Sequence, residues 1–139
     1  MKSLLTLACA LCLIVPLPLR ALDPGLGVKA KPLVKTSESW DGTPLVYPKG
    51  EAEITGMLIE IMPGAETGWH LHPVPSFGMI LEGQLTVSLK DGRTKELKTG
   101  DVIVEVVNTL HNGRNTGTTV VKLVVFYAGE KDGKLTVKP

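Results

Sequence analysis

The stretch Gly64-Ala65-Glu66-Thr67-Gly68-Trp69-His70-Leu71-His72 contains two of the three histidines of this protein. On a β-strand successive side chains point to opposite faces, so His70 and His72 share one face of the strand. The third histidine, His111, follows a hairpin-like segment and a further apolar strand. The sequence between His72 and His111 is long enough to bring the strand that carries His111 alongside the strand that carries His70 and His72. The pattern therefore predicts three imidazoles at one point of a sheet.

Three neutral imidazole nitrogens suit a divalent transition metal, and they leave coordination positions open for water or substrate. A lone histidine near an apolar strand is more often a hydrogen-bonded core residue than a ligand. Here the whole histidine complement of the chain falls into one pattern, which favours a metal site on His70, His72 and His111. Iron, manganese, nickel, zinc and copper all remain possible ions.

At these residues the chain resembles the cupin superfamily. The first cupin motif reads Gly-x5-His-x-His-x3-Glu-x6-Gly, and the residues in register with it are Gly64, His70, His72 and Gly83. The second motif reads Gly-x5-Pro-x-Gly-x2-His-x3-Asn, and it is matched by Gly100, His111 and Asn115, with Val106 and Asn108 replacing its proline and second glycine. The resemblance implies a jelly-roll β-barrel. It leaves the function open, because the superfamily holds dioxygenases, isomerases, decarboxylases, seed storage proteins and sugar-binding regulators.

One position departs sharply from the family pattern, since Ser76 stands where the family has its glutamate ligand. A neutral serine would leave the site more cationic and more open. The site would then resemble the three-histidine arrangement of some cupin-type oxygenases, or the metal would be weakly bound or lost. Ser76 and Gln84, which share a parity, are candidates to surround the metal with hydrogen bonds. We assign none of Glu66, Glu82 and Glu105 as a replacement ligand.

Short apolar or alternating runs, separated by turn signals, make up the rest of the sequence. Ile54 to Met62 is apolar on both parities, which predicts a strand covered on both faces. Leu85, Val87 and Leu89 alternate with polar residues, and Asp91-Gly92 is a hairpin signal. With no sustained helical period, the pattern indicates an all-β barrel or sandwich. We expect the barrel over residues 34–128, an extended arm over 22–33 and a fraying tail over 129–139.

Residues 1–21 have the features of a secretory signal peptide, because Lys2 precedes an apolar run that Pro16 and Pro18 end. The run is shorter than the roughly 20 apolar residues that span a bilayer. We therefore expect a periplasmic or secreted protein with no membrane association after cleavage. Both cysteines, Cys9 and Cys12, lie in this leader, so the mature chain would have no disulfide and no thiolate ligand.

The charge balance argues against nucleic acid as a partner. The chain has 15 basic and 14 acidic residues, and loss of Lys2 and Arg20 with the leader leaves 13 basic residues against 14 acidic ones. A near-neutral domain without basic clusters offers no surface for a polyanion. The expected partners are a small molecule and a second copy of the chain, since many small cupins form homodimers.

The expected function is that of a small metal-dependent enzyme, with a non-haem iron dioxygenase as the leading class. The alternative is a non-catalytic cupin that binds a sugar or an organic acid.

Overall fold

A computed structural model describes residues 27–139. The predicted signal peptide lies outside the described residues. Residues 27–32 are exposed and irregular, whereas residues 33–139 form a second compact unit. The strands of this second unit are β1 Ala52–Ile61, β2 Ser76–Glu82, β3 Gln84–Leu89, β4 Thr94–Lys98, β5 Val102–Val104, β6 His111–Asn115 and β7 Val121–Glu130. No helix occurs in residues 27–139, and none of the described chain could cross a membrane as a helix.

The seven strands form two antiparallel sheets. One sheet has the strand order β1-β7-β2-β5 and the other has the order β4-β3-β6. Apolar side chains from both sheets make one core, which includes Ile80 and Val125 of the first sheet and Leu85 and Leu97 of the second. The predicted all-β class is confirmed, and the arrangement is like a jelly roll.

Alternation along the strands places the core. In β7, Val121, Leu123, Val125 and Tyr127 are buried, and the residues between them are half-buried or exposed. Strand β3 buries Leu85, Val87 and Leu89 in the same way, as its alternating sequence predicts.

Within one chain, the first long strand is not covered on both faces as the sequence predicts. Strand β1 lies at the edge of its sheet and pairs with β7. Its outward-facing Ile54 and Leu58 are 64% and 65% exposed. The apolar residues of both parities therefore reflect one face on the core and a second apolar face directed outward.

The C-terminal segment does not fray as expected. The backbone N–H of Leu71 donates to the carbonyl of Val137 at 2.9 Å, and the N–H of Val137 donates back to Leu71 at 2.9 Å. This bridge holds the end of the chain against the segment that carries His70 and His72. A pairing between residues so far apart in sequence leaves no local signal in a polar, turn-rich tail.

Gly83 joins the two sheets, because it separates the end of β2 from the start of β3. Its φ of +87° lies in the region that L-residues avoid. A Cβ atom at this position would lie 2.8 Å from the carbonyl oxygen of Val120 and 3.0 Å from Cα of Val121. Both contacts are with backbone, which cannot rotate away.

We expect Gly83→Ala to lower the free energy of unfolding by about 2 kcal/mol or more, since a left-handed alanine costs about 1–2 kcal/mol before any clash. The measurement is equilibrium unfolding in urea. Gly100→Ala is the matched control, because Gly100 has a φ of +91° but a Cβ there would have no heavy atom within 4 Å. Equal losses in the two variants would contradict the steric argument at Gly83.

Candidate metal centre

Backbone pairing brings the histidines together. The N–H of His70 donates to the carbonyl of His111 at 3.0 Å, and the N–H of His111 donates back to His70 at 2.9 Å. Two residues along, the carbonyl of His72 accepts a hydrogen bond from the N–H of Asn108 at 2.8 Å. The segment that carries His70 and His72 therefore lies beside β6 and the loop before it, as the spacing in the sequence predicts.

The three rings converge on one point. Their centroids are 4.3 Å apart for His70 and His111, and 4.9 Å apart for each of the other two pairs. One ring nitrogen from each histidine lies within 4.8 Å of the other two. All three side chains are buried. The site is thus compatible with one divalent transition metal held by three imidazoles.

Each ring is fixed by a hydrogen bond from Nδ1 to a backbone carbonyl. The acceptors are Gly68 at 2.7 Å for His70, Leu135 at 2.8 Å for His72 and Thr109 at 2.8 Å for His111. A carbonyl can only accept, so Nδ1 carries the proton in all three rings. The lone pair of Nε2 is then free on each imidazole, which is the tautomer that a metal ligand needs.

The histidines line a cavity of about 70 Å³. Most of the other lining side chains are aliphatic, with Leu123 and Val125 as examples. Tyr127 packs edge-on against His72, with ring centroids 5.1 Å apart. The apolar walls keep bulk water away from the imidazoles.

Of the two residues predicted to surround the metal, Ser76 lies at the cavity and Gln84 does not. Ser76 is 1% exposed and lines the cavity from the start of β2. Gln84 is exposed and borders a surface depression beside Gly83 and Thr116. The register shift between Ile80 and Glu82 breaks the alternation between Ser76 and Gln84, so their shared parity does not give them a shared face.

Glu105 is the cavity residue that the sequence analysis set aside. It follows β5, is 9% exposed and lines the same cavity as the histidines. The sequence signal for a special role was its place between Val104 and Val106. A lone carboxylate within an apolar run is rarely buried without a partner. Glu66 and Glu82, by contrast, are exposed. Glu105 does not belong to the group of side chains that converge as possible ligands in the described chain.

Burial favours the neutral form of two of the rings, those of His70 and His72. Desolvation lowers the pKa of His72 from 6.5 to about 4, and the hydrogen bond to Leu135 opposes this only in part. Desolvation also lowers the pKa of His70, with the backbone hydrogen bond to Gly68 acting in the opposite direction. In both cases the neutral, metal-binding form is favoured at neutral pH. Burial likewise raises the pKa of the nearby Tyr127.

The low pKa of His72 predicts how the stability of the metal-free protein depends on pH. Since the ring titrates at 6.5 when unfolded and at about 4 when folded, the unfolded state binds more protons between these values. Stability should therefore fall as the pH drops through this window. We expect the melting temperature of the metal-free protein to decrease between about pH 7 and pH 5.

His72→Gln removes this titration, so its melting temperature should fall less over the same range. The two proteins are compared by calorimetry in the presence of a chelator. Parallel pH profiles for the wild type and the variant would contradict the assigned burial effect.

The fold and site together define a class: an antiparallel jelly-roll protein with a buried three-histidine cavity. The Cupin domain family model matches residues 57–127, about half of the chain. The chain therefore belongs to the cupin family, and the resemblance seen in its two glycine-framed histidine motifs is confirmed.

Similar proteins of known sequence or structure fit this assignment. The chain is 32% identical over 83 residues to the Phomopsin biosynthesis cluster protein D of Diaporthe leptostromiformis, in an alignment that covers 56% of this chain and 43% of the relative. It thus spans less than half the length of that relative. A crystal structure from Bacillus halodurans is 27% identical with a TM-score of 0.52, over 59% of this chain and 67% of the other. Oxalate oxidase in complex with the substrate analogue glycolate is 18% identical with a TM-score of 0.51, over 65% and 56%.

Proposed function

We propose that this protein binds one divalent transition metal through Nε2 of His70, His72 and His111 and uses it to hold a small molecule. The observation that supports this most strongly is the set of three Nδ1 hydrogen bonds to backbone carbonyls. These bonds direct three unprotonated nitrogens to one point inside an apolar cavity. A purely structural role for the histidines would not require the same tautomer in all three.

A bound ion would supply Lewis acidity and a template for an oxygen-bearing ligand. The chain itself would orient the imidazoles, exclude water with its aliphatic walls and leave the position of Ser76 without a carboxylate ligand. We infer that the ligand is small, in keeping with the volume of the cavity. The glycolate complex of the structurally similar oxalate oxidase makes small organic acids a suitable first panel.

With iron in the site, we propose a dioxygenase-type activity on such a molecule. Three neutral ligands leave positions open for both a substrate and a second small ligand. A protein that binds a sugar or an organic acid without changing it is the second candidate. The small cavity favours this candidate, because a protein that only binds its ligand requires no catalytic group.

Metal binding is tested on metal-free protein by calorimetric titration with Zn²⁺ or Co²⁺ and by elemental analysis. We expect one ion per chain, and free metal at 100 times its dissociation constant should stabilise the fold by about 2.7 kcal/mol. His70→Ala and His111→Ala should each lose this binding. Gln84→Ala is the control, because that side chain lies outside the cavity.

The proposal fails if the wild type binds no stoichiometric metal or if the histidine variants bind it as tightly. Oxygen uptake by the iron-loaded protein with a panel of small acids, diketones and thiols then separates an oxygenase from a binding protein. A ligand that raises the melting temperature and is recovered unchanged would favour the binding protein.

We further propose that the protein is a homodimer, formed through the outer face of the four-stranded sheet. The apolar side chains on this face, from β1, β7 and β2, are Ile54, Leu58, Val124, Phe126, Phe77 and Met79. Cross-strand neighbours such as Leu58 and Val124, or Phe77 and Phe126, make the surface continuous. Phe126 is 49% exposed although it is aromatic.

Monomeric soluble proteins rarely leave such a contiguous apolar surface uncovered. Strand β1, ten residues long, is also an edge strand among the strands of residues 27–139, and exposed apolar edges of this kind favour association. A second copy carries the same apolar side chains and can cover them by two-fold symmetry.

Leu58→Lys should shift the protein from dimer to monomer, because it places a charge on the apolar face that forms the proposed interface. Sedimentation velocity at several concentrations measures the change. Thr94→Lys adds the same charge to the exposed edge of the other sheet and should leave the dimer intact. A wild type that sediments as a monomer at every concentration would rule the interface out.

The exported location predicted from residues 1–21 stays a prediction.

A further inference from the structure

Glu105 is a carboxylate buried in an otherwise largely apolar cavity. Its backbone N–H donates to the carbonyl of Ser76 at 3.0 Å, so the two residues are neighbours across adjacent strands. Both line the cavity that contains the three histidines. Among the described residues that line this cavity, Glu105 is the single acidic one.

One oxygen of this carboxylate is held in place by the protein. Oε1 accepts a hydrogen bond from the indole Nε1 of Trp40 at 2.9 Å and another from the N–H of Val106 at 2.9 Å. Trp40 is itself fixed, because its N–H donates to the carbonyl of Val104 at 2.9 Å. Trp40 also packs against the core. The orientation of the carboxylate is therefore set before any ligand arrives.

The other oxygen, Oε2, accepts no hydrogen bond from residues 27–139. Both hydrogen bonds that these residues donate to the carboxylate are accepted by Oε1. A carboxylate accepts up to about four hydrogen bonds, so Oε2 can accept one from a ligand. The fixed side chain lines the cavity and thus offers a ligand an acceptor that residues 27–139 do not use.

We propose that Glu105 is a ligand-binding residue whose Oε2 accepts a hydrogen bond from an N–H or O–H group of the small molecule at the metal. This rests on the proposed metal site. It specifies the class of ligand: a chelator with oxygen atoms for the ion and a hydrogen-bond donor beside them, such as a hydroxy acid, an enediol or a hydroxamate. A ligand with a methyl group or a negative charge at that position is rejected. Trp40 is a positioning residue.

Two probes that differ in one donor test this. Acetohydroxamate and N-methylacetohydroxamate both chelate through two oxygens, but only the first has an N–H. The Co²⁺-loaded protein is titrated with each, and binding is followed by calorimetry and by the visible spectrum of the cobalt. The ratio of the two dissociation constants is the readout, since effects of a substitution on the metal itself cancel in it.

In Glu105→Gln the carbonyl oxygen of the amide must accept the bonds from Trp40 and Val106, so the NH2 group faces the cavity. The variant keeps the shape of the side chain and replaces an acceptor by a donor. We expect the wild type to prefer acetohydroxamate by about tenfold or more, as for hydrogen bonds to charged groups. The preference should disappear in Glu105→Gln and weaken in Trp40→Phe. Glu96→Gln, at an exposed carboxylate of the other sheet, should keep it.

A ratio near one in the wild type, an unchanged ratio in Glu105→Gln, or failure of both probes to bind the Co²⁺-loaded wild type would overturn the assignment of Glu105. These outcomes leave the metal site standing. If the wild type binds no Co²⁺, the proposed function falls first and the role of Glu105 falls with it. Melting temperatures of the metal-free variants, measured alongside, establish that each one is folded.

Discussion

Three hydrogen bonds from imidazole Nδ1 to backbone carbonyls are the interactions on which the site depends. Their acceptors come from separate parts of the chain: Gly68 before the first histidine, Thr109 in the loop before β6 and Leu135 near the C-terminus. Because backbone carbonyls are placed by the fold, the ring orientations are fixed by the pairing of the segments. The rings are thus arranged in a way compatible with a shared ion, and such an arrangement would reduce the entropy lost on binding.

Burial acts in the same direction as these hydrogen bonds. The apolar walls that lower the pKa of His70 and His72 keep the rings neutral, and a neutral ring is the one that offers a lone pair. The same desolvation makes an unpaired charge in the cavity costly. Among the described residues that line the cavity, Glu105 has the one carboxylate. Its Oε1 accepts two hydrogen bonds from the protein.

The sequence predicts much of this arrangement because its signals are local. The alternation of β3 and the two-residue spacing of His70 and His72 follow from strand geometry alone. The failures have long-range causes. The bulge in β2 reverses the parity that would have turned Gln84 inward, and the bridge between Leu71 and Val137 orders a tail that has no apolar pattern of its own. Burial of Glu105 depends on the indole of Trp40, which is distant in sequence.

The relation between Ser76 and Glu105 bears on what the site can do. The two residues are adjacent across neighbouring strands, joined by the bond from the N–H of Glu105 to the carbonyl of Ser76. A carboxylate at position 76 would bind an ion directly and occupy one of its coordination positions. A carboxylate at position 105, held by Trp40, keeps a negative charge in the same cavity without joining the histidine cluster. In the proposed site this carboxylate would act on a ligand of the ion, which would leave the open positions of the ion free and let the protein select what fills them.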